Sequence, residues 1–93
     1  MQRIATLSGV GKLRTLSADF GVVAYKLDVW QQASGQKQAN GSLAADDLAI
    51  IRAFASNDPL LLDLQTGGHV TVIITSASID EGEFKVSGPI PGI

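Results

Sequence analysis

The chain of 93 residues contains no cysteine, one histidine, one tryptophan and one tyrosine. The absence of cysteine excludes disulfides, thiolate nucleophiles and cysteine-bound metals. A single histidine has no second imidazole with which to build a metal site. No apolar run approaches the roughly 18 residues of a membrane helix, since the longest candidates, residues 60–64 and 70–74, have only the length of a strand. We therefore expect no cofactor, no metal and no membrane association.

The net charge is small, but it is unevenly spread along the chain. Its value of −2 argues against a strongly electrostatic partner such as nucleic acid. Residues 1–45 carry five basic and two acidic side chains, whereas residues 46–93 carry two basic and seven acidic ones. The simplest interpretation is that the two halves attract each other within one folded unit.

Composition and length predict one globular domain. The hydrophobic fraction of 45% is typical of a folded domain rather than a disordered chain. We expect a single barrel-like domain over residues 1–88, followed by an extended tail rich in proline and glycine at residues 89–93. The first residues lack the basic start, apolar centre and small-residue exit of a signal peptide, so we expect a cytoplasmic location.

Side-chain alternation predicts six strands, because residues two apart share one face of a sheet. Gly9 and Gly11 lie inside the first strand, where glycine often marks a bulge or bend. The third strand is polar at nearly every position, as suits a sheet edge or an exposed hairpin arm. We predict a tight turn at residues 80–82. The six predicted strands are residues 3–16, 20–32, 36–43, 59–65, 69–79 and 83–87.

One amphipathic helix is predicted over residues 44–55. Asp46 and Asp47 suit its first turn, where carboxylates interact well with the helix dipole. Ser42 is a candidate N-cap, and Pro59 prevents the helix from continuing. Apolar residues at steps of three and four define the face expected to pack on the core: Leu48, Ile51, Phe54 and Ala55.

These elements predict a mainly β protein of the small α+β class, in the order β-β-β-α-β-β-β. The short connections favour an antiparallel six-stranded barrel or a strongly curved sheet, with the helix plugging one open end. The order resembles an oligonucleotide/oligosaccharide-binding (OB) barrel, which also carries a helix between its third and fourth strands. The resemblance is one of topology only, and such a resemblance does not fix function.

No candidate catalytic or metal-binding set emerges from the remaining polar residues. His69 has no nucleophile at a suitable spacing, and residues 80–83 do not match the spacing of a calcium loop. Residues 9–12 contain only a fragment of a phosphate-binding loop, without a hydroxyl residue after Lys12. We therefore expect that the protein is not an enzyme.

Trp30 stands out because strand alternation places it away from the predicted core. Lys26 and Trp30 share the outer face of the second strand, and Lys37 lies in the third strand opposite. A tryptophan in this position either packs at the barrel edge, under the helix or tail, or contacts a partner. We predict a contact surface of these three residues. The residues expected to point inward from the same strand are Val23, Tyr25, Leu27 and Val29.

The sequence favours a non-enzymatic binding or assembly module that acts through protein contacts, and self-association through a sheet edge is its simplest form. The alternative is a binder of single-stranded nucleic acid or another anionic ligand on the face of strands two and three. Asp28, between Lys26 and Trp30, weighs against that alternative. In the tail, Ile90 and Ile93 either fold back on the same chain, which we expect, or dock on a neighbour.

Overall fold

The computed structural model describes residues 2–46, 48–56, 58–88 and 90. Within this part of the chain, the strands and helix follow the predicted order, with the helix between the third and fourth strands. Their bounds are β1 Gln2–Arg14, β2 Asp19–Gln31, β3 Lys37–Ala44, α1 Ala49–Phe54, β4 Leu60–Asp63, β5 His69–Ala77 and β6 Glu81–Ser87.

The sheet is a closed, antiparallel, six-stranded barrel, as predicted, with the strand order β1-β2-β3-β6-β5-β4. It consists of two three-stranded meanders, β1–β3 and β4–β6, that α1 connects. Two seams join the meanders. β3 pairs with β6 over residues 40–44, whereas β1 pairs with the short β4 over residues 12–14 only. With six strands, the barrel has one strand more than the five of the OB fold.

The core lies inside the barrel and follows the predicted alternation. In β2, Val23, Tyr25, Leu27 and Val29 are all buried. From β6, Phe84 is buried and Val86 is partly buried. Further buried side chains come from every other element: Leu13, Ala39, Leu43, Ala49, Ile50, Ala53, Leu60, Leu62, Val70, Val72 and Ile74.

The bend predicted at Gly9 and Gly11 is wrong. β1 pairs with β2 without a register shift from Ala5 to Leu13, and its irregularities lie at the two ends of that stretch. Glycine is needed at position 11 for a close approach instead. A Cβ atom at Gly11 would lie 2.0 Å from the carbonyl oxygen of Asp63 in β4. The glycine thus lets the two strands meet at the narrow seam.

The helix occupies the predicted place in the chain, but its length, start and buried face differ from the prediction. It spans only six residues, Ala49–Phe54, because Ser42 and Ala44 are paired in β3. Leu48, with a φ of 60°, is the N-cap residue, and no side chain caps the helix. Asp46 precedes the first turn, and Asp47 lies outside the described residues.

The predicted apolar face of α1 is wrong, because Leu48, Ile51 and Phe54 are exposed. The buried residues are Ala49, Ile50 and Ala53. The two small alanines let the helix backbone approach the barrel end closely, and Ile50 fills the remaining space. A Cβ atom at Gly82 would lie 2.7 Å from Cγ2 of Ile50, which shows how tightly that side chain is enclosed.

The turn before β6 lies earlier in the chain than predicted, whereas the tail residue Ile90 packs as predicted. The predicted turn at residues 80–82 comes earlier in the chain: β6 begins at Glu81, and Gly82 is buried and paired with Leu43. In the tail, Ile90 is partly buried and packs against the core, as expected for self-docking. Ile93 lies outside the described residues.

No helix in the described part of the chain is long and apolar enough to cross a membrane.

Candidate protein-contact surface

The outer face of β2 carries the predicted contact residues Lys26 and Trp30 in separate cross-strand rows. Lys26 is exposed and pairs with Ser8 of β1 and Ser42 of β3. Trp30 pairs with Arg3 of β1 and Gln38 of β3, and its side chain is partly buried. The register confirms that both residues point away from the barrel core.

Lys37 does not share this face. It pairs with Gln31, which alternates in phase with the inward residue Val29 rather than with Trp30. Lys37 lines a groove of about 430 Å³ together with Ala39, Val86 and the tail residue Ile90. Lys26 and Trp30 therefore belong to one surface, while Lys37 belongs to the surface on which the tail packs.

The sheet face around Lys26 is polar and carries both signs of charge. A groove of about 580 Å³ is lined by two lysines and two carboxylates, Lys26, Lys85, Asp28 and Glu83, together with Asn40 and Ser42. Asp28 accepts a hydrogen bond of 2.8 Å from the Thr6 hydroxyl. A phosphate-rich ligand on this face would meet a carboxylate beside each lysine.

The most distinctive surface is the exposed side of β1, which the sequence did not predict as an edge. Residues 2–11, called the β1 edge below, have no partner strand other than β2 in the described part of the chain. The cause is a mismatch of lengths. β1 has 13 residues, but its neighbour across the seam, β4, has four. The predicted edge, β3, is instead paired with β2 along its whole length and with β6 over residues 40–44.

A glutamine closes one end of the β1 edge. The backbone N–H of Val10 donates a hydrogen bond of 2.9 Å to Oε1 of Gln65, in the turn after β4. Gln65 is itself fixed, because its backbone N–H donates to the Tyr25 hydroxyl at 3.0 Å. A Cβ atom at Gly9 would collide with this glutamine. The turn after β4 thus covers the edge at Val10 and no further.

The remaining open groups follow from strand alternation. Because the N–H of Val10 points away from β2, the backbone groups of Thr6 and Ser8 point the same way. Neither residue's N–H or C=O has a hydrogen-bond partner among the described residues. A register shift at Ile4 ends the regular pairing on the other side. We call the N–H and C=O groups of Thr6 and Ser8 the open backbone groups.

The seam between β1 and β4 holds an ion pair that joins the basic and acidic halves of the chain. Arg14 donates two hydrogen bonds to the Asp63 carboxylate, at 2.7 and 3.0 Å. This hydrogen-bonded guanidinium lowers the pKa of Asp63, and Lys12 and His69 act in the same direction.

Among the described residues, no three His, Cys, Asp or Glu side chains are grouped so that they could hold a metal ion.

We expect the stability of the barrel to fall with decreasing pH at this seam. Because the pKa of Asp63 is lower in the fold than in the unfolded chain, its contribution is complete above about pH 4 and is lost as pH falls through the folded-state pKa. Urea midpoints measured between about pH 5 and pH 2 should converge for wild type and Asp63→Asn. Asp19, whose pKa is lowered mainly by the backbone N–H of Gly21, is present in both proteins. An equal stability gap at every pH would contradict this expectation.

A second exposed surface is the apolar outer side of α1. Leu48, Ile51 and Phe54 recur every three residues and are 48%, 37% and 53% exposed. Phe54 borders a groove of about 320 Å³ that also includes Pro59 and the outward side chain of Ile73. The spacing of these residues predicts an apolar row, but we expected that row to face the core.

Comparison of the chain with models of known protein families, with curated proteins and with solved structures found no match. The fold and its surfaces define the described part of the protein as a small closed β-barrel with one capping helix and a first strand that pairs on one side only over most of its length.

Proposed function

We propose that this protein is a non-enzymatic assembly module that binds other proteins through the β1 edge. The observation that carries the proposal is the stretch of β1 that pairs on one side only. Unpaired backbone groups on an edge strand are a ready template for a strand of another chain. Natural edges are often protected by lysine or proline, but neither occurs between Arg3 and Lys12.

An added strand would extend the β1–β2–β3 side of the barrel. The open backbone groups of Thr6 and Ser8 supply the hydrogen bonds, and the side chains on either face supply specificity. On the outer face, Ser8 lies beside Lys26 and Arg3 lies beside Trp30. Lys26 and Trp30 therefore form the second row of the proposed contact surface, within reach of long side chains from the added strand.

The alternative, a binder of single-stranded nucleic acid or anionic ligands on β2 and β3, has weaker support. Of its two cations, Lys26 shares a groove with Asp28 and Glu83, and Lys37 lies on a different surface. A site that neutralises phosphates gains its affinity from an excess of positive charge. Salt-dependent quenching of Trp30 fluorescence by short single-stranded oligonucleotides would favour the alternative over the β1 edge.

Photo-crosslinking tests the proposed function with a probe that captures whichever protein contacts the β1 edge. The photoreactive residue p-benzoylphenylalanine replaces Ser8, whose side chain is exposed on the β1 edge. Irradiation in the cells that naturally make the protein should then yield discrete covalent adducts with protein. The control position is Ser76, an exposed serine on β5 that pairs with Glu83 of β6, and β5 does not pair with β1 in the described part of the chain.

The adduct masses separate the outcomes. Adducts formed from position 8 and absent from position 76 support a protein contact at the β1 edge. Equal labelling at both positions, or none at either, would overturn the proposed function.

A further inference from the structure

We propose that the β1 edge pairs with the same edge of a second copy of this chain, which makes the protein a two-fold symmetric dimer with a continuous sheet. This inference rests on the proposed function and names its partner. Two-fold dimers use one self-complementary patch on both subunits. The β1 edge is such a patch, because its open backbone groups lie on two residues, Thr6 and Ser8, that can satisfy each other.

The positions of the open groups select one register. In an antiparallel two-fold pair, Thr6 opposite Ser8 of the second copy exchanges both backbone hydrogen bonds, and symmetry repeats this pair. Centring the pair on Thr6 would place Ser8 opposite the irregular residue Ile4. Centring it on Ser8 would place Thr6 opposite Val10, whose N–H already bonds Gln65. Only the pair centred on Leu7 uses all the open backbone groups of Thr6 and Ser8 and leaves the Val10 N–H with Gln65.

Side chains support the same register. Leu7 lies on the two-fold axis opposite Leu7 of the second copy, and it is a partly buried residue that packs against the barrel core. Pairing the two leucines would extend the apolar layer that Ala5 and Leu7 begin. No charged side chain lies between Arg3 and Lys12. In this register Arg3 faces the Gly9–Gly11 region of the second copy, so no like charges oppose each other.

A cysteine introduced at the axis tests this register. The chain has no cysteine of its own, so any disulfide must join introduced residues. Residues facing each other in the non-hydrogen-bonded position have Cα atoms about 4.5 Å apart, within the range of about 4.4–6.8 Å that a disulfide requires. Under mild oxidation, Leu7→Cys should form about tenfold more covalent dimer than the control Ser76→Cys on the exposed side of β5.

The unmodified chain and an edge-blocked variant make the test independent of the cysteine. Light scattering over a concentration series should show wild type approaching twice the chain mass of 9.7 kDa. Ser8→Pro removes an N–H that points away from β2, so it should leave the barrel folded and give a monomer. Circular dichroism confirms folding of each variant.

Two results would overturn the dimer: a wild-type mass of 9.7 kDa at every concentration, or equal crosslinking of Leu7→Cys and Ser76→Cys. Adducts from photoreactive position 8 whose mass differs from two chains would then retain the proposed function with another partner. If no adducts form and no dimer is detected, both the proposed function and the proposed dimer are overturned.

Discussion

Replacing Leu27 by alanine should lower the free energy of unfolding by about 2–5 kcal/mol, the range for a buried leucine that leaves a cavity. Leu27 is fully buried at the centre of β2. Its cross-strand neighbours are Leu7 and Gly41, and the glycine has no side chain with which to fill the space. A small domain has only about 5–15 kcal/mol of stability in total. Urea denaturation followed by Trp30 fluorescence measures the loss.

The matched control is Lys26→Ala, one residue away on the exposed face of the same strand. Surface substitutions of this kind usually change stability by no more than about 0.5 kcal/mol. If Leu27→Ala and Lys26→Ala unfold at similar urea concentrations, the assignment of inner and outer faces in β2 is reversed.

Replacing Ile50 by alanine should also cost about 2–5 kcal/mol, whereas the same change at Ile51 should cost far less. The two isoleucines are adjacent, but Ile50 is 0% exposed and Ile51 is 37% exposed. Truncating Ile50 would open a cavity where α1 closes the barrel, beside Gly82. Both variants are followed by urea denaturation. The comparison holds chemistry and chain position nearly constant and changes only burial.

A reversed order of stability for the two isoleucine variants would restore the helix face that the apolar spacing alone predicts. It would also remove Leu48, Ile51 and Phe54 from the solvent-exposed surface. The isoleucine pair is therefore the most direct test of how α1 sits on the barrel.

The inward-pointing residues of β2 were predictable, because successive side chains of a strand alternate between its two faces. Val23, Tyr25, Leu27 and Val29 alternate with polar or small residues, so burial of one row implies exposure of the other. The position of Trp30 on the outer face follows from the same rule. Its partial burial does not, since that depends on the neighbours that β1 and β3 place beside it.

The helix face was not predictable from spacing, because a helix of six residues has less than two turns. Over so short a length, Leu48, Ile51 and Phe54 form as regular a row as the residues that are buried. The choice between them depends on how closely the backbone must approach the barrel. The alanines at positions 49 and 53 allow that approach, and larger side chains there would prevent it.

The open edge of β1 was not predictable from the sequence for a related reason. Polarity suggested β3 as the edge, but neighbours in a barrel are set by pairing between segments far apart in sequence. The signal that was present is the length of the first strand relative to the fourth. A 13-residue strand beside a four-residue strand must leave backbone groups unpaired.

The sequence by itself determined the element order, the inward rows of the strands and the exclusion of cysteine chemistry, because these depend on local periodicity and composition. Only the tertiary structure decided that β1 has an open edge, which side of α1 is buried and which face Lys37 occupies. These features depend on register and seam length, which arise when distant segments pair. The open β1 edge, with its two residues of unpaired backbone, is the feature from which we infer assembly.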